Sequence, residues 1–388
     1  MAAPETTQPA GGFSATVLSA DAAGLEAYAA FCAGAVYPPP QDPLWADAWL
    51  GNAGEEGVVA LLSRDGAPAL ALALEVVRIG PLRIARFPGG QHANGNFPVL
   101  HPDALPAEGD RMDAARSLVG AIGSARPQID MLALERQQKA FRGLPNPLLA
   151  LPHTVSPNLS LAVDLTGGFD RLLKGGSGRR RRKKNRSQTR KMEAAGGYRR
   201  FAATSPREVD ELLDLFFALK RARLARMGIS DLFGAPHVQA SFRRLFHAAL
   251  GKSGCPFVLH ALEVGGKVRA ITGSSRTEDA IICEFSTFAE DELAHASPGD
   301  FLFFENIAEA SAEGMSLYDF SVGDEPYKRL WCDVETRHAD VFMGLTARGR
   351  ALANASFAVT RMKRFVKQNP VMARLARRAR KMSAQSES

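Results

Sequence analysis

Cysteine is scarce in this chain, and its scarcity removes two classes of protein at once. The four cysteines, Cys32, Cys255, Cys283 and Cys332, stand far apart with no C-x-x-C pair, so neither a disulfide framework nor a zinc site is expected. His153, His237 and His247 show no metal-ligand spacing; no metal and no permanently bound cofactor are expected, in a reduced cytoplasmic setting. No run of 18 apolar residues exists to span a bilayer. Residues 1–12 lack an apolar core and a basic start, and a short disordered tail is expected there instead of a secretion signal. Acid, too, is missing where base is densest. Residues 179–191 hold nine basic residues and no acid, and residues 361–381 hold another nine and none. Elsewhere 30 basic residues face 41 acidic ones, so the net charge of +7 conceals an acidic body with two cationic segments. Affinity for polyanions is expected to be local to those segments.

What is present fits a two-domain globular chain: 388 residues, 46% hydrophobic. Two stretches repeat one order of elements. Residues 58–63, 69–79 and 82–87 are apolar or alternating runs split by Arg64-Asp65-Gly66 and Gly80-Pro81, which reads as a three-stranded meander. A loop over 88–106, a helix over 110–124 and a strand over 129–135 follow. The second set of runs, 257–264, 267–277 and 280–288, is divided by Gly265-Gly266 and Glu278-Asp279, both two-residue hairpin signals. Loop, helix and strand follow again. Helices are expected over 22–32, 43–50, 206–227 and 236–250, the third with a buried stripe through Val209, Leu212, Leu213 and Phe216.

The most specific sequence is Ser297-Pro298-Gly299-Asp300, a helical pattern closed by Gly314, then Leu317-Tyr318-Asp319-Phe320 and Gly323-Asp324-Glu325-Pro326-Tyr327-Lys328. Ser297 is placed to cap the helix, Pro298 suits its first position and Gly314 its left-handed end. This series resembles the C-terminal signature of the CelD/BcsL-type acyltransferases, a branch of the GNAT superfamily. The resemblance extends upstream through Ser156-Pro157 with Leu159-Ser160-Leu161 and through the arginine-rich segment, covering roughly residues 151–333. The final loop is more acidic than the family pattern, through Asp324 and Glu325. Meander, loop, helix, strand is the order of a GNAT core, and two in tandem resemble the double-GNAT build of the Fem aminoacyl ligases. The fold this implies is α+β: two tandem GNAT-like units with mixed, mostly antiparallel sheets flanked by helices. The expected limits are 13–150 for the first unit, 151–345 for a catalytic unit with an arginine-rich helix over 179–195, and 346–388 for a basic amphipathic tail.

The resemblance implies acyl-CoA as co-substrate and transfer of its acyl group to an amine. Such chemistry needs a thioester held still, a base for the ammonium and donors at the forming oxyanion. Asp319 is the first candidate base and Glu284, on the last meander strand, the rival. The alternative for Asp319 is a structural ion pair with Lys328. Tyr327 could protonate the leaving thiolate and Lys328 grip a phosphate; a loop staple is the plainer reading of both. The coenzyme A phosphates are expected at the helix start, Ser297, Gly299 and Asp300, with Arg182 and Arg186 nearby, although the Asp300 carboxylate repels phosphate there. His92, Asn94 and Asn96 in the loop 89–98 read as turn residues before they read as a site.

Residues 179–191 interleave no aromatic with their cations, which disfavours nucleic acid. In the tail, Val359, Met362 and Val366 share a helical face beside Phe365, with Arg361, Lys363, Arg364 and Lys367 around it; Asn369-Pro370 then starts a second basic helix with Met372 and Leu375. That is the profile of a helix lying in an anionic membrane surface. The expectation is an acyl-CoA-dependent N-acyltransferase, peripheral on the inner membrane and acting on an amine-bearing lipid in the manner of a bacterial ceramide synthase. Two alternatives stay open: acylation in exopolysaccharide or cellulose synthesis, and a Fem-like aminoacyl-tRNA-dependent ligase.

Overall fold

The computed structural model describes residues 5–7, 12–51, 56–174 and 178–369. The chain divides into one unit of residues 1–159 with 336–388 and another of residues 160–335. The expected boundaries placed residues 336–345 in the second unit and 346–388 in a separate tail; here residues 336–369 group with the first unit, and 370–388 lie outside the described residues.

In the first unit the meander runs Glu56–Arg64, Ala67–Ile79 and Leu82–Arg86, with Phe13–Ser19 antiparallel on its outer side. Glu5–Thr7 pairs antiparallel with Phe13–Ser19, so this part of the expected disordered tail is a strand. Thr favours strands, a signal that the absence of apolar residues hides. Met131–Gln137 lies parallel to Leu82–Arg86, and Val334–Gly344 lies antiparallel to Met131–Gln137. Helices Ala22–Phe31, Pro43–Leu50 and Glu108–Ala125 cover this sheet, burying Tyr28, Trp45 and Leu118 completely. The C-terminal helix is Ala347–Gln368. The second basic helix expected from Pro370 onward lies outside the described residues.

In the second unit the strands are ordered His153–Asp164, Leu317–Val322, Ala280–Phe288, Lys267–Arg276, Phe257–Val264 and Tyr198–Ala202. All neighbours are antiparallel except Ala280–Phe288 with Leu317–Val322. The first hairpin turns at Gly265 and Gly266, both at positive φ (59° and 76°), the conformation a two-residue turn requires and glycine supplies without strain. Gly168–Lys174, the arginine-rich helix Gly178–Ala194 and the signature helix Pro298–Ala312 pack on one face, through Leu172, Met192, Phe301 and Ile307. Pro206–Arg226 and Pro236–Ala249 cover the other, where Phe216, Phe242 and Phe246 surround Phe285. Central strands buried on both faces explain why Phe257–Val264 reads as a nearly continuous apolar run instead of an alternating one.

Candidate active site

The sheet of the second unit opens where its parallel pair comes apart. Ala280, Ile281 and Ile282 pair with Leu317, Tyr318 and Asp319, and there the pairing stops. Beyond that point Leu317–Val322 follows the strand on its other side, Ser160 opposite Val322. Ala280–Phe288 stays with Lys267–Arg276, but with an extra residue: Gly273 faces Phe285 and Ser274 faces Cys283, leaving Glu284 as the bulge. A bulge bends its strand and re-aims a side chain. Cys283 points into the core with Phe303 and Ile307, whereas Phe285 joins the opposite aromatic cluster. No side chain fits at Gly273, where an added Cβ would lie 2.1 Å from the Phe285 ring. The result is a wedge between two strand ends.

Two carboxylates converge on it. Asp319 lies in register with Ile282, two residues before Glu284, which places both acids on the face away from Cys283. Ser275 donates its hydroxyl to Glu284 Oε1 at 2.6 Å, while Oε2 is buried without a partner. Desolvation pushes the Glu284 pKa up to about 8, with the nearby Asp319 charge adding to it and the Ser275 bond opposing. Desolvation also raises Asp319, to about 6, against the hydrogen bond it accepts from Ser321 N–H at 2.6 Å and the charge of Lys328. Near neutral pH the pair therefore holds one proton, on Glu284, and one charge, on Asp319.

Tyr327 stands on the other side of the wedge. Its ring stacks on Phe303 at 5.8 Å, its hydroxyl is hydrogen-bonded to Ser286 on the bulged strand, and it is 38% exposed. Burial of its hydroxyl end raises its pKa well above the ordinary value, so the phenol keeps its proton. Lys328 is not open to a phosphate: it is buried, its amine donates to the carbonyls of Ser321 and Val322 at 3.3 and 3.1 Å, and the Glu325 carboxylate pairs with it. With its donors engaged, Lys328 is a staple for the loop, and it is not paired with Asp319.

The helix start differs from expectation in one respect. Ser297 has left-handed backbone (φ 54°, ψ 60°) and its side chain makes no cap bond. Pro298 and Gly314 take their expected places, Gly314 at φ 81° with Met315 N–H returning to the Ala310 carbonyl. Gly299 lies against Phe288, which an added Cβ would approach to 3.1 Å. Asp300, expected to repel phosphate, is paired with Lys184 at 2.9 Å and accepts from Gln188. The arginine-rich helix thus docks by a polar stripe: Arg181 over the Trp331 ring and on the Leu330 carbonyl, Lys184 on Asp300, Gln188 on the Ala296 and Ser297 carbonyls, then Met192 in the core. Its outer side presents Lys183, Arg186 and Arg190 around a shallow hollow of about 430 Å³, and Arg182 is half-buried. None of these four forms an ion pair among the described residues.

Two contributors escaped the sequence reading. Ser275 becomes visible only once the hairpin register sets it beside Glu284. Lys220 carried a signal, since it continues the stripe of Val209, Leu213 and Phe216, where an apolar residue belongs. Its amine donates to the Ser286 carbonyl at 3.2 Å above the Phe233 ring, and desolvation lowers its pKa.

The first unit has the corresponding strands but no wedge. Past the pairing of Arg86 with Ala133, Asn96 bridges to Gln137: its N–H reaches the Arg136 carbonyl at 2.9 Å and its carbonyl accepts from Gln138 at 2.8 Å. Asn96, expected as a turn residue, is here a bridge residue that closes the gap with backbone.

Residues 179–329 match the family described as Acetyltransferase (GNAT) domain. No curated protein matches the chain. Among solved structures, the chain is similar to FemX, with a TM-score of 0.57 at 12% identity over 85% of this chain and 98% of that one. It is similar to the C-terminal domain of a chain titled a lysylphosphatidylglycerol synthetase from Agrobacterium fabrum, with a TM-score of 0.51 at 14% identity over 87% and 96%. A conserved protein from Bacteroides thetaiotaomicron gives 0.50 at 13% over 83% and 97%. At such identities the likeness is one of fold, a double GNAT build. The chain carries a GNAT domain and is an acyltransferase, a class that takes its acyl group from acyl-CoA and gives it to an amine.

Proposed function

We infer that this acyltransferase acylates an amine-bearing lipid at a membrane surface, with the sphingoid-base acylation of a CelD/BcsL-related, bacterial ceramide-synthase-like enzyme as the favoured case. The observation that carries the chemistry is the wedge, with Glu284 and Asp319 on one face and Tyr327 on the other. A thioester lying between the strand ends has a base on one side and an acid on the other. The acceptor ammonium gives its proton to the carboxylate pair, Glu284 being the member matched to an amine once it is ionised. The free amine attacks the thioester carbonyl, a C–N bond forms, and a backbone N–H of the bulged strand stabilises the oxyanion. The C–S bond then breaks, Tyr327 protonates the departing thiolate, and the surplus proton shed by the acylated nitrogen is returned through solvent to the phenol.

The Pro298–Ala312 start, with Gly299 and the pair Asp300 and Lys184, is the place for the coenzyme A diphosphate, and Arg182 and Arg186 extend that positive surface. The lipid assignment rests on the C-terminal helix, where Val359, Met362 and Phe365 are 41%, 60% and 61% exposed among basic residues. No helix among the described residues is long and apolar enough to cross a membrane, so attachment would be peripheral. The test is incubation of the purified chain with mixed acyl-CoAs and long-chain amines, reading N-acyl products by mass. The cationic outer side of the arginine-rich helix supports a second reading, an RNA-borne donor; ribonuclease would then abolish activity, which the first reading says it leaves intact.

A further inference from the structure

Beside the C-terminal helix, and wholly within the first unit, lies a cleft of about 550 Å³, a volume usual for small-ligand sites. Its base is an acid without a counter-charge. Asp340 is 1% exposed and accepts the Arg136 N–H at 2.8 Å, yet no cation forms a salt bridge with it among the described residues. The Arg136 guanidinium is held elsewhere, on the Gln91 carbonyl at 2.6 Å and Asn94 Oδ1 at 2.8 Å. Burial raises the Asp340 carboxyl to about 6, with the Glu135 charge adding and the Arg136 N–H, the buried Ser156 hydroxyl and the Arg136 charge opposing. At neutral pH it is a buried anion in search of a cationic donor.

The opposite sign lines the rim. Lys363 and Lys367 come from successive turns of the helix, both exposed, with Met362 and Val366 beside them. Lys367 donates to Asn158, and Lys363 makes no ion pair among the described residues. Among the described residues no aromatic lines the cleft, and aromatic walls are what a quaternary ammonium requires. The base instead offers a carboxylate and a hydroxyl, acceptors suited to the N–H donors of a primary ammonium. The apolar side chains that lead from the rim belong to the helix whose Val359, Met362 and Phe365 stand exposed.

We propose that this cleft binds a phosphoethanolamine headgroup, its primary ammonium on Asp340 and its phosphate on Lys363. The site is distinct from the wedge and stands apart from the acyl-transfer reading, because its binding is measured without acyl-CoA. The ligand comes either from an aminophospholipid or from the free phosphoester.

The full chain is titrated with phosphatidylglycerol vesicles containing either phosphatidylethanolamine or phosphatidylcholine at equal anionic content. Ethanolamine vesicles are expected to bind about tenfold more tightly, the yield of one charge-assisted hydrogen bond. Asp340→Asn, which keeps the acceptor for Arg136 N–H, is expected to erase that preference while retaining the binding due to phosphatidylglycerol. Competition by free phosphoethanolamine would show that the headgroup alone suffices; a preference that survives it would assign the site to the anchored lipid. If Asp340→Asn fails to fold, Lys363→Glu at its exposed position is expected to weaken free phosphoethanolamine about tenfold in calorimetry. Equal binding of the two vesicle types overturns the proposal, as does a preference that persists in a folded Asp340→Asn or free-ligand affinity unchanged in Lys363→Glu.

Discussion

Glu284 is where sequence, strand geometry and reactivity meet. A bulge residue with one oxygen on Ser275 and the other buried and unpaired is poorly solvated as an anion, and its carboxyl rises from 4.5 to about 8. The folded chain therefore holds this proton more tightly than the unfolded one. The stability it contributes is complete below about pH 4.5 and is lost as the pH rises through 8. Glu284→Gln keeps the hydrogen-bonding shape without the charge, so its melting temperature should exceed that of the wild type at pH 9 and match it at pH 4. In turnover the sign reverses, because a base must be ionised: kcat should climb through pH 8, and Glu284→Gln should cost about 10²–10³-fold. Ser275→Ala removes the bond that holds the carboxyl down, and the rising limb of the pH–rate profile should move to higher pH. Both acids were legible as polar positions on apolar strands. Ser275 was not, since its part depends on a register that no single strand reveals, and Ser297 misled because a left-handed residue turns a favourable cap type away from the helix it precedes.

At the scale of elements, turn chemistry carried most of the information. Gly265-Gly266, Gly80-Pro81 and the glycine after the signature helix fixed where elements end, and both meanders run close to their expected limits. Val334–Gly344 escaped because its first half carries Glu335 and Arg337, which interrupt the apolar pattern, and because its partner Met131–Gln137 lies some 200 residues earlier. The bulge itself depends on packing: Gly273 leaves room for Phe285 to enter the cluster of Phe216, Phe242 and Phe246. Gly273→Val should cost about 1–3 kcal/mol in urea unfolding, through overpacking of a filled aromatic core. The arginine-rich helix divides its labour by face, with Arg181, Lys184 and Gln188 docking it and Lys183, Arg186 and Arg190 facing outward. Arg186→Glu should raise the KM for acyl-CoA roughly tenfold with little change in kcat, as expected for a contact to a phosphate that takes no part in bond breaking.

Across the whole molecule, the repeat of one order of elements separates scaffold from chemistry. The same strands open into a wedge in the second unit and are closed by Asn96 in the first, a difference invisible in element order and decided by a few backbone hydrogen bonds. Fold and domain type were thus legible, whereas the working half was marked only by the signature residues. The first unit offers surface instead, in the exposed Met362 and Phe365 and the cleft beside them. Met362→Glu with Phe365→Glu should lower affinity for anionic vesicles at least about tenfold, since two apolar contacts are lost and two like charges gained. The central claim, that the wedge acidic pair deprotonates an amine for attack on a thioester, is tested most directly by single-turnover acylation of a long-chain amine by acyl-CoA, comparing the wild type with Glu284→Gln, Asp319→Asn and the double variant. The account expects N-acyl product from the wild type at a rate rising through pH 8, with the double variant folded, able to bind acyl-CoA and near the uncatalysed rate. Product formed by the double variant at the wild-type rate would contradict it.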